Sequence, residues 1–270
     1  MSSISGIVIA KNEEERIADC LDSLAFCNEI IVVDNGSKDK TGDIAKRMGA
    51  EVFVLETDDF SKLRNFGLKK SKGGWVLYMD ADEKISEELK KSIKHLITDS
   101  DRVQQLNGYF LKRKNFYLGS SAKNEWPYIE KTERLFKRSS LKGWKGKLHE
   151  SPIVIGEIGE IGEGFLLHYT HRDLASMLAK TIEWSKIEAE LRFTANHPKV
   201  TWWRLFRVML TAFLDYYLKQ RGWKVGTVGV IESVYQVFSV FITYARLWEM
   251  QREIKNQSPI QSGTKIKDTN

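Results

Sequence analysis

Cysteine is scarce and a strong charge of either sign is missing. The only two thiols in 270 residues, Cys20 and Cys27, lack metal-type spacing and sit among apolar neighbours. That argues against a disulfide scaffold and for two reduced structural thiols in a cytosolic protein. Lysine and arginine number 42 against 36 acidic residues, a net +6. So mild an excess gives no reason to expect nucleic acid as a partner. No internal repeat occurs. Low complexity is confined to residues 256–270, a polar tail expected to be disordered. Lys11, Glu13, Glu14 and Glu15 interrupt the first apolar stretch too early for a secretory leader. No G-x-G-x-x-G follows that stretch and no Walker loop is present, which argues against the usual glycine-built phosphate cradles.

What is present is an alternation of short apolar runs with helical patterns. The chain is 42% hydrophobic, enough for one large α/β domain or a domain with an appendage. Ile4 to Ala10 reads as a strand. Asn12 follows as a helix N-cap with acidic residues in the first turn, and Ile17, Leu21 and Leu24 continue at helical spacing. Glu29 to Val33 is a second strand, closed by Asp34-Asn35-Gly36-Ser37, and Asp39 is placed to cap the next helix. A third strand spans Glu51 to Leu55, a basic helix Phe60 to Lys70, and a fourth strand Trp75 to Met79. Repeated β-α units with short links predict an α/β fold: a doubly wound, mostly parallel sheet with helices on both faces.

The stretch Trp75-Val76-Leu77-Tyr78-Met79-Asp80-Ala81-Asp82-Glu83 is the most informative. An apolar run that suits burial on both faces ends in carboxylates, where open α/β sheets bind ligands. Asp80 and Asp82 are two apart and share a face in extended backbone. Paired hard oxygen ligands suit Mg²⁺ or Mn²⁺ that also holds phosphate oxygens. The plain alternative is that Asp82 caps a helix starting near Ser86. Acids after strands two and four, and an amide after strand one, suit a nucleotide whose phosphates are met by metal.

Ile7-Val8-Ile9-Ala10-Lys11-Asn12-Glu13, Val32-Val33-Asp34-Asn35-Gly36-Ser37-x-Asp39-x-Thr41, Arg64-Asn65 and Asp80-Ala81-Asp82 together resemble the family 2 glycosyltransferases, of GT-A fold. The resemblance is close over residues 4–98 and looser to about 170. It implies that Asp34 contacts uracil or the neighbouring ribose of a UDP-sugar. It places Arg64 near the nucleotide or its phosphates, Asp80 at ribose or sugar, and Asp82 on a divalent ion. Asn12 and Glu13 would line the nucleotide pocket. The alternative for Arg64 is a solvated helix face.

Gly108 to Arg113 and Thr132 to Lys137 alternate as strands do. Gly143-Trp144-Lys145-Gly146-Lys147-Leu148-His149-Glu150-Ser151 gathers an aromatic, a histidine and a carboxylate. Glu150 is the candidate base for an acceptor hydroxyl. A similar Gly-x-x-His-Glu occurs in the branch resembling lipopolysaccharide-core glucosyltransferases, whereas many other members have Glu-Asp there. His149 either orients the acceptor or is a buried, hydrogen-bonded histidine. Trp144 is either a sugar-stacking platform or a core residue. His168, ending a short apolar strand, is either a further metal ligand or a structural histidine.

From Asp173 the chain changes character. Residues to Phe193 form an amphipathic pattern. Thr201 to Lys219 is aromatic with basic residues at both ends, and Val225 to Ala245 holds one charge, Glu232. Neither is a clean membrane span; aromatics and cations around an apolar body suit a helix in the membrane interface. The alternative is a helical hairpin closing over the catalytic domain or a dimer interface. The expected domains are a GT-A catalytic domain at 1–170, an apolar helical appendage at 171–255 and the tail. The expected function is inverting, metal-dependent transfer of a hexose, glucose foremost, from UDP to a lipid-linked glycan such as lipopolysaccharide inner core. The expected location is cytoplasmic, peripheral on the inner face of the cytoplasmic membrane. A polyprenyl-phosphate glycosyltransferase and a non-catalytic nucleotide-sugar-binding protein are the alternatives.

Overall fold

The computed structural model describes residues 3–98, 106–119 and 121–257. The chain divides into two compact units, Met1–Asp173 and Leu174–Asn270. Of the expected tail, residues 258–270 lie outside the described residues, while 256 and 257 still belong to the last helix.

In the first unit, β1 (Ile4–Ala10) pairs parallel with β2 (Glu29–Asp34) on one side and β4 (Trp75–Asp80) on the other, and β3 (Glu51–Val54) extends the parallel edge. Beyond β4 the direction changes. β7 (Glu130–Lys137) runs antiparallel to β4 and to β6 (Gly108–Tyr117). β11 (Leu166–Thr170) returns parallel to β6 and carries β5 (Glu83–Ile85) antiparallel at its edge. The order β3-β2-β1-β4-β7-β6-β11-β5, with β10 (Ile158–Glu160) beside β6, is the doubly wound, mostly parallel sheet the pattern predicts. A separate hairpin joins β8 (Leu141–Lys145) to β9 (Ser151–Val154).

Helices cover both faces, and β1, buried along its whole length, shows why its run is mostly apolar. Ile4, Val8 and Ala10 join one core with residues of α1 (Ile17–Ser23), α2 (Thr41–Arg47) and α4 (Glu87–Thr98). Ile7 and Ile9 face the other way, Ile9 packing with Leu63 of α3 (Phe60–Lys70). Each such side chain contributes about 1.5–3 kcal/mol by leaving water. Gly67 lets α3 lie close on β1: a Cβ there would stand 2.4 Å from Ile7 Cγ2. That approach sets Arg64, on the same helix, beside the carboxyl end of β4.

Three capping expectations are corrected. Asn12 has φ +55° and lies five residues before α1, whose cap position is Arg16; its amide serves a neighbouring loop instead. Lys40, not Asp39, occupies the cap of α2, although Asp39 accepts the Thr41 N–H at 2.9 Å. Asp82 does not cap α4: Ser86 Oγ accepts the Leu89 N–H there at 3.3 Å.

The second unit is helical. α5 (Leu174–Thr194) packs with α7 (Thr227–Gln257) through Thr181 and Tyr235, whose hydroxyls lie 2.6 Å apart. The Tyr235 hydroxyl also reaches the Met177 carbonyl at 2.9 Å. Glu232 is fully buried on α7 and accepts from Gln236 at 2.7 Å. Within α7, Thr227–Glu253 is long and apolar enough to cross a membrane by length and composition alone. Between them, α6 (Trp202–Leu214) has no buried residue. Trp203, Phe206, Leu210 and Leu214 recur on one face of it, with exposures from 43% to 57%, and Trp202 is 79% exposed.

Candidate active site

The carboxyl ends of β1, β2 and β4 meet where the sequence places its acids. After β1, Asn12 Oδ1 accepts the Lys38 N–H at 2.8 Å and its own N–H donates to Ser37 Oγ at 2.9 Å. Next to it the Glu13 N–H donates to Thr41 Oγ1 at 2.7 Å. The loops after β1 and β2 are thus stitched into one wall. Asparagine tolerates the left-handed backbone this requires. Arg172, just past β11, clamps the wall from the far side, donating to the Asn12 carbonyl at 2.9 Å and to Glu13 Oε2 at 3.0 Å. Asp34 is buried at the end of β2, where Oδ1 accepts the Ser37 N–H at 2.8 Å.

At the end of β4 the two aspartates part company. The chain turns at Ala81 and Asp82, so the extended geometry that would align them ends at Asp80. Asp80 sits among arginines. Arg64 Nη2 donates to its Oδ1 at 3.0 Å and Arg134 Nη2 to its Oδ2 at 2.7 Å. Burial opposes its ionisation, but Arg134, Arg64 and Arg113 outweigh burial and hold the carboxyl well below the usual carboxylate range. Arg64 is itself 3% exposed, which removes the solvated-face alternative. It also reaches Glu150: Nε donates to Oε1 at 2.8 Å, and Nη2 is ion-paired with the same oxygen at 2.7 Å. One guanidinium therefore joins the Asp80 strand end to the Gly143–Glu150 segment, the candidate base included.

Asp82 faces His168 instead, with Nε2 3.3 Å from Oδ2. His168 Nδ1 lies 2.7 Å from Asn115 Oδ1, and the Asn115 amide nitrogen donates to Glu130 Oε1 at 3.0 Å. Glu130 thereby fixes the amide orientation, the amide oxygen takes the Nδ1 proton, and Nε2 is the nitrogen left facing Asp82, where it could serve as a ligand. That pair fits a divalent ion that completes its shell with phosphate and water. Among the described residues no cluster of three or more histidine, cysteine or acid side chains is set to hold a metal.

The other expected residues are placed as follows. Trp144 is buried with Tyr78, Phe136 and Leu141, and the Arg64 guanidinium lies 4.9 Å from its ring. Its face is covered by a cation, so it belongs to the core rather than to an open sugar platform. His149 is exposed, which removes the buried alternative. Asn65 holds this region in place: its amide takes the Trp144 N–H at 2.8 Å and donates to the Trp144 carbonyl at 2.9 Å. Gly143 is required there, with φ +138° and room for a Cβ only 2.8 Å from Asn65 Oδ1.

Sequence reasoning missed the cations that organise the acids. Arg134, 5% exposed on β7, also donates to Glu83 Oε1 at 3.0 Å. Arg113 on β6 donates to the same Glu83 oxygen at 3.1 Å and pairs with Glu130. Lone arginines on alternating strands carry no local signal. Arg172 likewise lacks one.

The family model described as "Glycosyl transferase family 2" matches residues 5–147, more than half of the chain. The chain belongs to glycosyl transferase family 2. As a family 2 member it is similar over 98% of its length to an uncharacterized glycosyltransferase of Rickettsia prowazekii, 28% identical, covering 93% of that protein. It is 25% identical to the lipopolysaccharide core biosynthesis glycosyltransferase LpsC of Rhizobium meliloti, over 91% of this chain and 92% of that one. Among solved structures it is similar to S. aureus TarS 1–349 in complex with UDP-GlcNAc: TM-score 0.48, 16% identity, covering 93% of this chain and 92% of that. The sheet order and helix layers of the first unit are the GT-A arrangement of this family 2 glycosyltransferase.

Proposed function

We propose that this glycosyltransferase is a metal-dependent, inverting hexosyltransferase. It takes the sugar, glucose foremost, from a UDP-linked donor and passes it to a lipid-linked glycan such as lipopolysaccharide inner core. The observation that carries the reading is the Arg64 bridge from Asp80 to Glu150, beside the Asp82–His168 pair at the same sheet end. It brings a candidate base, a phosphate-seeking cation and hard ligands within one site.

Asp34 receives the base or ribose, with Asn12 and Glu13 forming the wall beside it. Arg64 faces the diphosphate. Asp80, fixed as an anion by its arginines, orients ribose or sugar hydroxyls. Asp82 and His168 would hold Mg²⁺ or Mn²⁺, which when bound neutralises charge on the departing diphosphate. Glu150 takes the acceptor hydroxyl's proton as the oxygen attacks the anomeric carbon from the opposite side. Exposed His149 is positioned to meet the acceptor. The likeness to LpsC supports a glycolipid acceptor.

The exposed apolar face of α6, with Arg204 and Arg207 on the same helix, supports a protein resting on an anionic membrane surface from the cytoplasmic side. Asp82→Ala should abolish transfer while the melting curve is retained; full activity in that variant would overturn the mechanism. Glu150→Gln should be inactive on a hydroxyl acceptor. Retained activity would point to a phosphate acceptor that needs no base.

A further inference from the structure

We propose that Glu150 and the donor diphosphate compete for the same guanidinium, so that the candidate base is held by Arg64 until the donor arrives. The inference rests on the nucleotide-sugar reading given above.

Arg64 Nε donates to Glu150 Oε1 at 2.8 Å, and Nη2 forms an ion pair with the same oxygen at 2.7 Å. A charge-assisted pair of this kind holds the carboxylate on the guanidinium rather than free to meet an acceptor hydroxyl. A second group is waiting on the same cation: Arg64 Nη1 is buried and has no hydrogen-bond partner among the described residues. An unpartnered buried N–H is costly, and it favours an incoming acceptor of hydrogen bonds. The planar guanidinium lies 4.9 Å from the Trp144 ring and 5.8 Å from that of Tyr78. A stacked guanidinium can exchange in-plane partners while keeping its contact with the ring. Asp80 does not depend on Arg64 alone, because Arg134 holds its other oxygen at 2.7 Å. Of the two carboxylates on Arg64, Glu150 is therefore the one that can be released. The donor's phosphate oxygens then draw Arg64 away, and Glu150 is released to meet the acceptor hydroxyl.

The test is the affinity for UDP at saturating Mn²⁺, measured by equilibrium dialysis on wild type, Glu150→Gln and Glu150→Asp. Removing the competing charge should tighten UDP binding about tenfold in Glu150→Gln, equivalent to about 1.4 kcal/mol, even though transfer is lost. Glu150→Asp, one methylene short of Arg64, should tighten it as well. Unchanged or weaker UDP binding in folded variants, checked by circular dichroism, would overturn the competition and leave the nucleotide site standing. Wild type that binds no UDP would overturn the nucleotide reading itself, and the competition with it.

Discussion

At the residue scale, one acid and the cations around it dominate the energetics. Asp80 has a carboxyl held low by Arg134, Arg64 and Arg113 against the opposing effect of burial. A carboxyl lowered in the folded state contributes stability that is fully present above its unfolded value of about 3.9 and is lost as pH falls below it. In urea titrations wild type should therefore exceed Asp80→Asn in stability at pH 6, and the difference should shrink steadily below pH ~4. A gap that is constant with pH would contradict the ion pairing. Arg134 is the more drastic site. Arg134→Ala strips one of two arginine partners from both Asp80 and Glu83, and since losing a partner of a buried charge outright costs about 3–5 kcal/mol, the loss should approach but not exceed that range. Unfolding midpoints of that variant measure the loss. The thiols make the opposite point. Burial raises Cys20 well above the usual thiol range and Cys27 to about 12, so neither should react with Ellman's reagent at pH 8 until the protein unfolds.

At the element scale, α3, whose Arg64 reaches the carboxyl end of β4, and β8, which leads into the Glu150 loop, are tied together by Asn65. Asn65→Ala removes both bonds to Trp144 and with them the fixed distance between Arg64 and Glu150. It should lower kcat more than it raises KM for the donor, since the loop carries the base rather than the nucleotide wall. Steady-state kinetics over a donor series separates the two. The same comparison shows what the sequence could reveal. β1, β2 and β4 were legible because each is a largely apolar run followed by an acid or amide, and a two-sided sheet leaves that trace. Glu150 stood out by its company of glycine, aromatic and histidine. Arg134 and Arg113 did not. They come from β6 and β7, where half-buried strands mix charged and apolar residues, and their partners lie 54 and 30 positions away. Asn12 was misread for a related reason: a good N-cap residue was instead used to stitch two loops, and local propensity cannot tell those uses apart.

At the scale of the whole molecule, the proposed membrane placement has a direct consequence. Replacing Trp203, Phe206 and Leu210 with serine removes the apolar stripe of α6 without touching a buried residue. Flotation with anionic vesicles should then fall sharply, while unfolding of the first unit stays where it was. Neutral vesicles should bind wild type less than anionic ones, because the cations on α6 contribute about 1 kcal/mol each near a charged surface. Vesicle binding unaffected by the serines would assign that face to a protein partner or a second copy.

The central claim is that the end of β4 holds a nucleotide-sugar through a divalent ion on Asp82. Calorimetric titration of UDP into the protein, with and without Mn²⁺, tests it most directly. The account predicts saturable binding that needs Mn²⁺ and disappears in Asp82→Ala with the fold intact. UDP binding that ignores both the ion and the Asp82→Ala substitution would contradict it.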